Sequence, residues 1–261
     1  MIGIEWKVLA SLGGVAMLAG FFDAIAGGGG LITLPALFLS GIDPVAAIAT
    51  NKLQAASATV SATAAFARKG LIEWRSGWPI ALMALLGGGA GALSVSLLPR
   101  AALEACVPVL LILVAIYFFF SPKLGNEETR AKVSTLAFSA LIAPAIGFYD
   151  GVFGPGVGSF FMVSFVILLG LGLLRAMSYT KLANASSNIG ALIIFMIKGT
   201  IVLPIALTMA VGAFIGAQLG ARCAVRFGAR LIKPLLIAIC CIMAIKLLLN
   251  PNNPLRQAVM G

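Results

Sequence analysis

The chain is written twice. FDAIAGGGG (residues 22–30) aligns with YDGVFGPGV (149–157) at an offset of 127, so Asp23 falls on Asp150, Gly27 on Gly154 and Gly29 on Gly156. Two residues are then gained and the offset becomes 129. At that shift Ala47 meets Ala176, Lys52 meets Lys181, Ser57 meets Ser186 and Lys69-Gly70 meets Lys198-Gly199; Gly87 and Gly91 meet Gly216 and Gly220. A register kept in order over such a length marks an internal duplication. The first repeat covers residues 1–120 and the second 134–261. Between them SPKLGNEETRAKV (121–133) is the only sustained polar stretch and the natural boundary. Whatever one half folds into, the other half folds into as well.

What each half can fold into follows from hydropathy. Hydrophobic residues make up 61% of the 261, charged ones only 10%, and mean hydropathy is +1.10. A soluble domain of this size needs more polar surface, so the chain reads as a polytopic membrane protein. The alternating ten-residue pattern of a membrane β-barrel is absent, which leaves α-helices. Each half starts with a short apolar segment (8–22, 134–148), a glycine-rich break and a second short segment (31–40, 157–170). Helices are then expected over 44–67, 78–97 and 101–120, and over 175–197, 201–221 and 230–249. At 1.5 Å per residue, a segment of 10 to 15 residues covers about 15–22 Å and falls short of a bilayer core of about 30 Å. The spans 8–40 and 134–170 are therefore read as hairpins that turn around inside the membrane. The small residues Ala24 and Ala26 after the first apolar run imitate a signal-peptide cleavage site, but the repeat uses this segment and it is expected to be retained.

Basic residues fall in the gaps between apolar runs and set orientation. If each hairpin returns to its own side, eleven lie inside: Arg68, Lys69, Arg75, Lys123, Arg130, Lys132, Arg175, Arg222, Arg226, Arg230 and Lys233. Four lie outside: Lys7, Arg100, Lys198 and Arg256. The same orientation for both halves would leave a near-even split. The expected fold is all-α, with two inverted-topology repeats. Each is a re-entrant or broken helical hairpin followed by three transmembrane helices, joined by a cytoplasmic linker.

Several chemistries drop out. With no histidine, Ser-His and Cys-His nucleophiles and HExxH zinc sites are excluded. There is no GxxxxGK[ST] loop, and the glycines of 151–158 lie in an apolar hairpin, not in a βαβ unit. The net charge of +10 marks topology and not a nucleic-acid face. Cys106, Cys223, Cys240 and Cys241 lie in or beside apolar runs without CxxC spacing and read as packing residues. Neither an enzyme, a cofactor nor a bound metal is expected.

Inverted repeats with broken helices in matching places describe secondary transporters, whose site lies where the breaks meet. A break exposes backbone N–H groups at a partly positive helix start, and glycine lets an anion come close to them. Gly28, Gly29, Gly30 and Thr33 in one break, with Gly156, Gly158 and Ser159 in the other, are the candidate backbone and hydroxyl donors. Lys52 and Lys181 lie about two turns into long helices, where a lysine marks function or a partner. Asn51 and Gln54 flank the first. Lys181, Asn184 and Asn188 share one face, with Ser187 beside them. A lysine among amides suits a trigonal or tetrahedral oxyanion. Asp23 and Asp150, the only two of eight acids at the breaks, are candidates to carry a coupling proton. Other readings stay open: the acids as helix caps, lysine and aspartate as structural pairs, the glycines as packing surfaces.

The stretches DAIAGGGGLITLPAL (23–37) and GIDPVAAIATNK (41–52), with GFYDGVFGPGVGSF (147–160) and AMSYTKLANASSN (176–188), resemble the TauE/SafE sulfite exporter family over nearly the whole chain. The resemblance implies a multi-pass transporter of the cytoplasmic (inner) membrane for small sulfur oxyanions and organosulfonates such as sulfite and sulfoacetate. The expected partners are a small anionic substrate, membrane lipid and, in a homodimer, a second copy. The alternative function is a cation or metal permease using Asp23 and Asp150 as ligands, a poor transition-metal set without histidine or clustered thiolates.

Overall fold

A computed structural model describes residues 6–95, 97–99 and 127–227, with isolated positions between 102 and 116 and between 241 and 249. The helices expected over 101–120 and 230–249 thus lie largely outside the described residues. What is described is helical throughout. The first half gives α1 (Trp6–Ala26), α2 (Gly29–Leu39), α3 (Pro44–Ala67) and α4 (Trp74–Val95). The second gives α5 (Thr135–Val152), α6 (Val157–Leu169), α7 (Leu173–Ile197) and α8 (Leu203–Phe227). α5 widens into a π turn over Phe138–Ile142, just before Pro144 takes away a backbone donor.

Local signals account for the boundaries. Asp43 caps α3 by accepting from Val45 N (3.1 Å) and Ala46 N (3.4 Å), and Pro44 takes the first position, where its missing N–H costs nothing. α1 ends at Gly27 (φ 76°) and the matching break after α5 turns at Gly154 (φ 92°), a left-handed backbone only glycine enters without strain. The aspartates do not end these helices. Asp23 and Asp150 lie inside the last turn of α1 and α5, so both helices run further than the expected 8–22 and 134–148. Over its 21 residues α1 extends about 30 Å. Each hairpin therefore pairs one helix long and apolar enough to cross a membrane with one short one, the 11 residues of α2 or the 13 of α6. α4 starts at Trp74, ahead of the expected 78, and carries Pro79 within its first turns.

The polarity of the packing is inverted relative to a soluble protein. Large apolar side chains such as Leu18, Leu86, Leu93, Leu207 and Val211 face outward, while Lys52, Asn51, Gln54, Asp150, Lys181, Asn184 and Asn188 are buried. In water this arrangement would be costly on both counts; in lipid the outer surface is matched. Among the described residues five helices qualify as spans by length and composition, α1, α4, α5, α7 and α8. α3 is as long but carries more serine, threonine, amide and lysine.

Positions that match in the sequence pack in matching ways. α1 lies along α8, and its counterpart α5 lies along α4; α3 and α7 pack against one another at the centre and against α8 and α4 in turn. A Cβ on Gly87 or Gly91 would strike the carbonyl of Pro144 or Phe148, and one on Gly216 or Gly220 would strike that of Met17 or Phe21. Pro144 and Phe148 are Met17 and Phe21 shifted by 127. The same glycine-to-backbone contact is built twice, each time between opposite halves.

Candidate functional site

Two ion pairs cross between the halves at the centre. Lys52 Nζ of α3 lies 2.7 Å from Asp150 Oδ1 at the end of α5 and also donates to the Asp150 carbonyl. Lys181 Nζ of α7 lies 2.9 Å from Asp23 Oδ2 at the end of α1 and also donates to the Asp23 carbonyl. Each lysine thus binds both the carboxylate and the main chain of the acid that belongs to the other half of the chain. The Asp23 carbonyl also accepts from Gly27 N (2.9 Å), and the end of a helix that holds it is partly negative. An ammonium there adds a donor to the carbonyl, offsets the dipole and neutralises the carboxylate together. Removal of either charge would strand the other in a buried setting.

The second carboxylate oxygens differ. Asp23 Oδ1 accepts from Gly29 N (3.1 Å) and so caps α2 from the preceding helix. Asp150 Oδ2 accepts from the Ser187 hydroxyl. The ion-pair reading holds at both acids, and the cap reading at Asp23 alone.

Beside these pairs is a small buried cavity of about 20 Å³. Of the residues singled out in the sequence, Asp23, Gly29, Gly30, Asn51, Gln54, Asp150, Gly156, Asn184 and Asn188 line it. Lys52 and Lys181 do not; the lysines expected to face an anion face carboxylates and carbonyls. Gly28 is the cap residue of α2, and Gly158 packs on Gly27. Thr33 donates to Asn51 Oδ1 (2.6 Å), Ser159 to Gly27 O (3.4 Å), and Ser187 is held by Asp150. These stand behind the wall and orient it. Gly27, Ala55, Ala58, Thr59, Gly154 and Val157 also line the cavity. Two of these were open to discovery from the repeat, because Ala55 and Thr59 are the counterparts of Asn184 and Asn188.

The cavity therefore has two kinds of wall. The starts of α2 (Gly29, Gly30) and α6 (Gly156, Val157) bring partly positive helix ends to the lining. α3 and α7 supply amides and Thr59. Asn188 Nδ2 donates to Asn184 O (2.8 Å) and Asn184 Oδ1 (2.7 Å), which fixes which end of that amide is nitrogen. Asn188 Oδ1 and Gln54 Oε1 are left without a partner. With two lysines against two aspartates, the charged groups at this centre sum to zero.

The family model described as Sulfite exporter TauE/SafE matches residues 12–247. The chain belongs to the TauE/SafE family. Among curated relatives of this family member, a probable membrane transporter protein, ORF9, from Sinorhizobium sp. is 44% identical over 256 residues, 98% of each chain. The probable membrane transporter protein YfcA of Escherichia coli K12 is 41% identical over 239 residues, 92% of this chain and 89% of its own. A probable membrane transporter protein of Haemophilus influenzae is 39% identical over 246 residues, 94% and 96% of the two chains. No solved structure matches significantly. Family membership and the five apolar helices agree on a multi-pass helical membrane protein.

Proposed function

We propose that this chain is a secondary transporter that moves a small sulfur-containing anion, such as sulfite, sulfoacetate or a related organosulfonate, across the cytoplasmic membrane by alternating access. One observation carries the reading: the first turns of α2 and α6 meet the amides of α3 and α7 around a single buried cavity. Helix starts offer N–H groups and partial positive charge to an anion, and amides add neutral donors. Because the ion pairs cancel, the anion meets no bare ammonium. It can then be held weakly enough to be let go on the other side, as transport requires.

The crossed pairs suit two repeats of opposite orientation that rock about the centre, with the cavity near the midplane. About 20 Å³ is room for roughly one water, far less than a sulfur oxyanion occupies. In this reading the conformation is closed, and the substrate enters once the halves part. A metal permease finds less support, since both oxygens of Asp23 and of Asp150 are already engaged.

Reconstituted vesicles loaded with unlabelled anion test the proposal by counterflow. Sulfite, thiosulfate, sulfoacetate, isethionate and taurine make the panel, with chloride as control. At least one sulfur anion is expected to drive saturable exchange of its labelled form. Exchange no faster than in protein-free vesicles for the whole panel would overturn the assignment.

A further inference from the structure

The acceptor side of the cavity has no role in binding an anion. Asn188 and Gln54 are each about 98% buried or more, they line the cavity, and their side-chain oxygens have no hydrogen-bond partner. For Asn188 the orientation is fixed, because its amide nitrogen already bonds twice to Asn184. A buried oxygen without a donor is costly, and one that recurs across the same small space calls for a ligand that both can bind. An anion cannot satisfy an acceptor; a cation can.

We infer that this cavity holds a small monovalent cation of sodium's size, coordinated on the side of Asn188 and Gln54 and serving as the coupling ion. Size supports this choice, since about 20 Å³ admits one water-sized body and not an oxyanion. Charge supports it too. Asp23 and Asp150 border the cavity, but each is neutralised by a lysine. A dication would remain uncompensated in a low-dielectric setting, whereas a single charge can be carried by neutral oxygens with partly neutralised carboxylates nearby. The starts of α2 and α6 line the same cavity and suit an anion, so a cation bound beside them and an anion would each favour the other. In broken-helix transporters, coupling ions are held by oxygens near such breaks.

The inference rests on the transporter reading for its role but not for its test, which needs no substrate. The full chain is purified in detergent, and its thermal midpoint is followed as sodium chloride replaces choline chloride at constant ionic strength and pH. A ligand that binds only the folded state raises the midpoint saturably. Sodium is expected to do so and choline is not. Asn188→Leu is expected to weaken the apparent sodium affinity at least tenfold. Should Asn188→Leu not fold, Gln54→Leu carries the same expectation. A midpoint that does not distinguish sodium from choline, or an undiminished sodium response in the leucine variant, would overturn the inference. In that event the space holds only a structural water. Anion counterflow without any sodium response would leave the proposed function standing and remove this site; the converse result would do the reverse.

Discussion

Asp23 and Asp150 hold matching places in the two halves of the sequence and each meets a lysine of the other half, yet their second oxygens find different partners: a helix start in one case, a serine in the other. The same contrast runs through the centre. Acid, lysine and turning glycine are duplicated, and so are the glycine contacts of α4 and α8. The lining is not. Asn51 has Thr180 as its counterpart, Gln54 has Ala183, Asn184 has Ala55 and Asn188 has Thr59. The duplicated residues fix how the halves meet. The unlike ones form the α3 and α7 part of the cavity wall, where a ligand with no two-fold symmetry would need unlike contacts.

Substitutions can break this comparison. The largest effect is expected at the crossed pairs, where Lys181→Ala leaves a buried carboxylate unmatched. A loss of about 3–5 kcal/mol is expected, read as a large drop in the thermal midpoint or in folded yield. Lys52→Ala should behave alike, and Lys181→Ala with Asp23→Ala should be milder than Lys181→Ala alone. If one lysine proved dispensable and the other not, the pairs would not be equivalent anchors. Next come the glycine contacts. Gly91→Leu and Gly220→Leu each force α4 off α5 or α8 off α1, at a cost of about 1–3 kcal/mol or more, and the two should agree closely. Of similar size or smaller is Ser187→Ala, which takes one donor from a carboxylate that keeps its lysine. About 1–3 kcal/mol is expected from a hydrogen bond to a charged group, whereas Ala58→Ser at the matching position should not repair it.

The sequence made the anchors easy to read and the wall hard. Apolar length gave the helical membrane fold, and the 127 and 129 offsets paired Asp23 with Asp150 and Lys52 with Lys181. Two things escaped it. Aspartate beside glycine looks like a helix end, so both acids were expected at hairpin tips; a lysine from the distant half lets the helix continue through each of them. The same distant contact turned the lysines away from the cavity. Pattern along the chain marks a buried charge but does not say which opposite charge the fold brings to it. Thr59 was legible only as the counterpart of Asn188, because polar residues at matched positions need not be identical to share a wall.

The smallest expected effect on stability is the most telling for function. Asn184→Ala removes an amide from the wall while Asn188 keeps its bond to the Asn184 main-chain oxygen, so the fold should hold with a midpoint near that of the parent. The direct test of the central claim is the affinity of this variant for whichever sulfur anion the parent exchanges, measured by titration on purified protein. At least a tenfold weakening with the fold intact is predicted. Binding equal to the parent's would contradict the claim that this wall receives the anion.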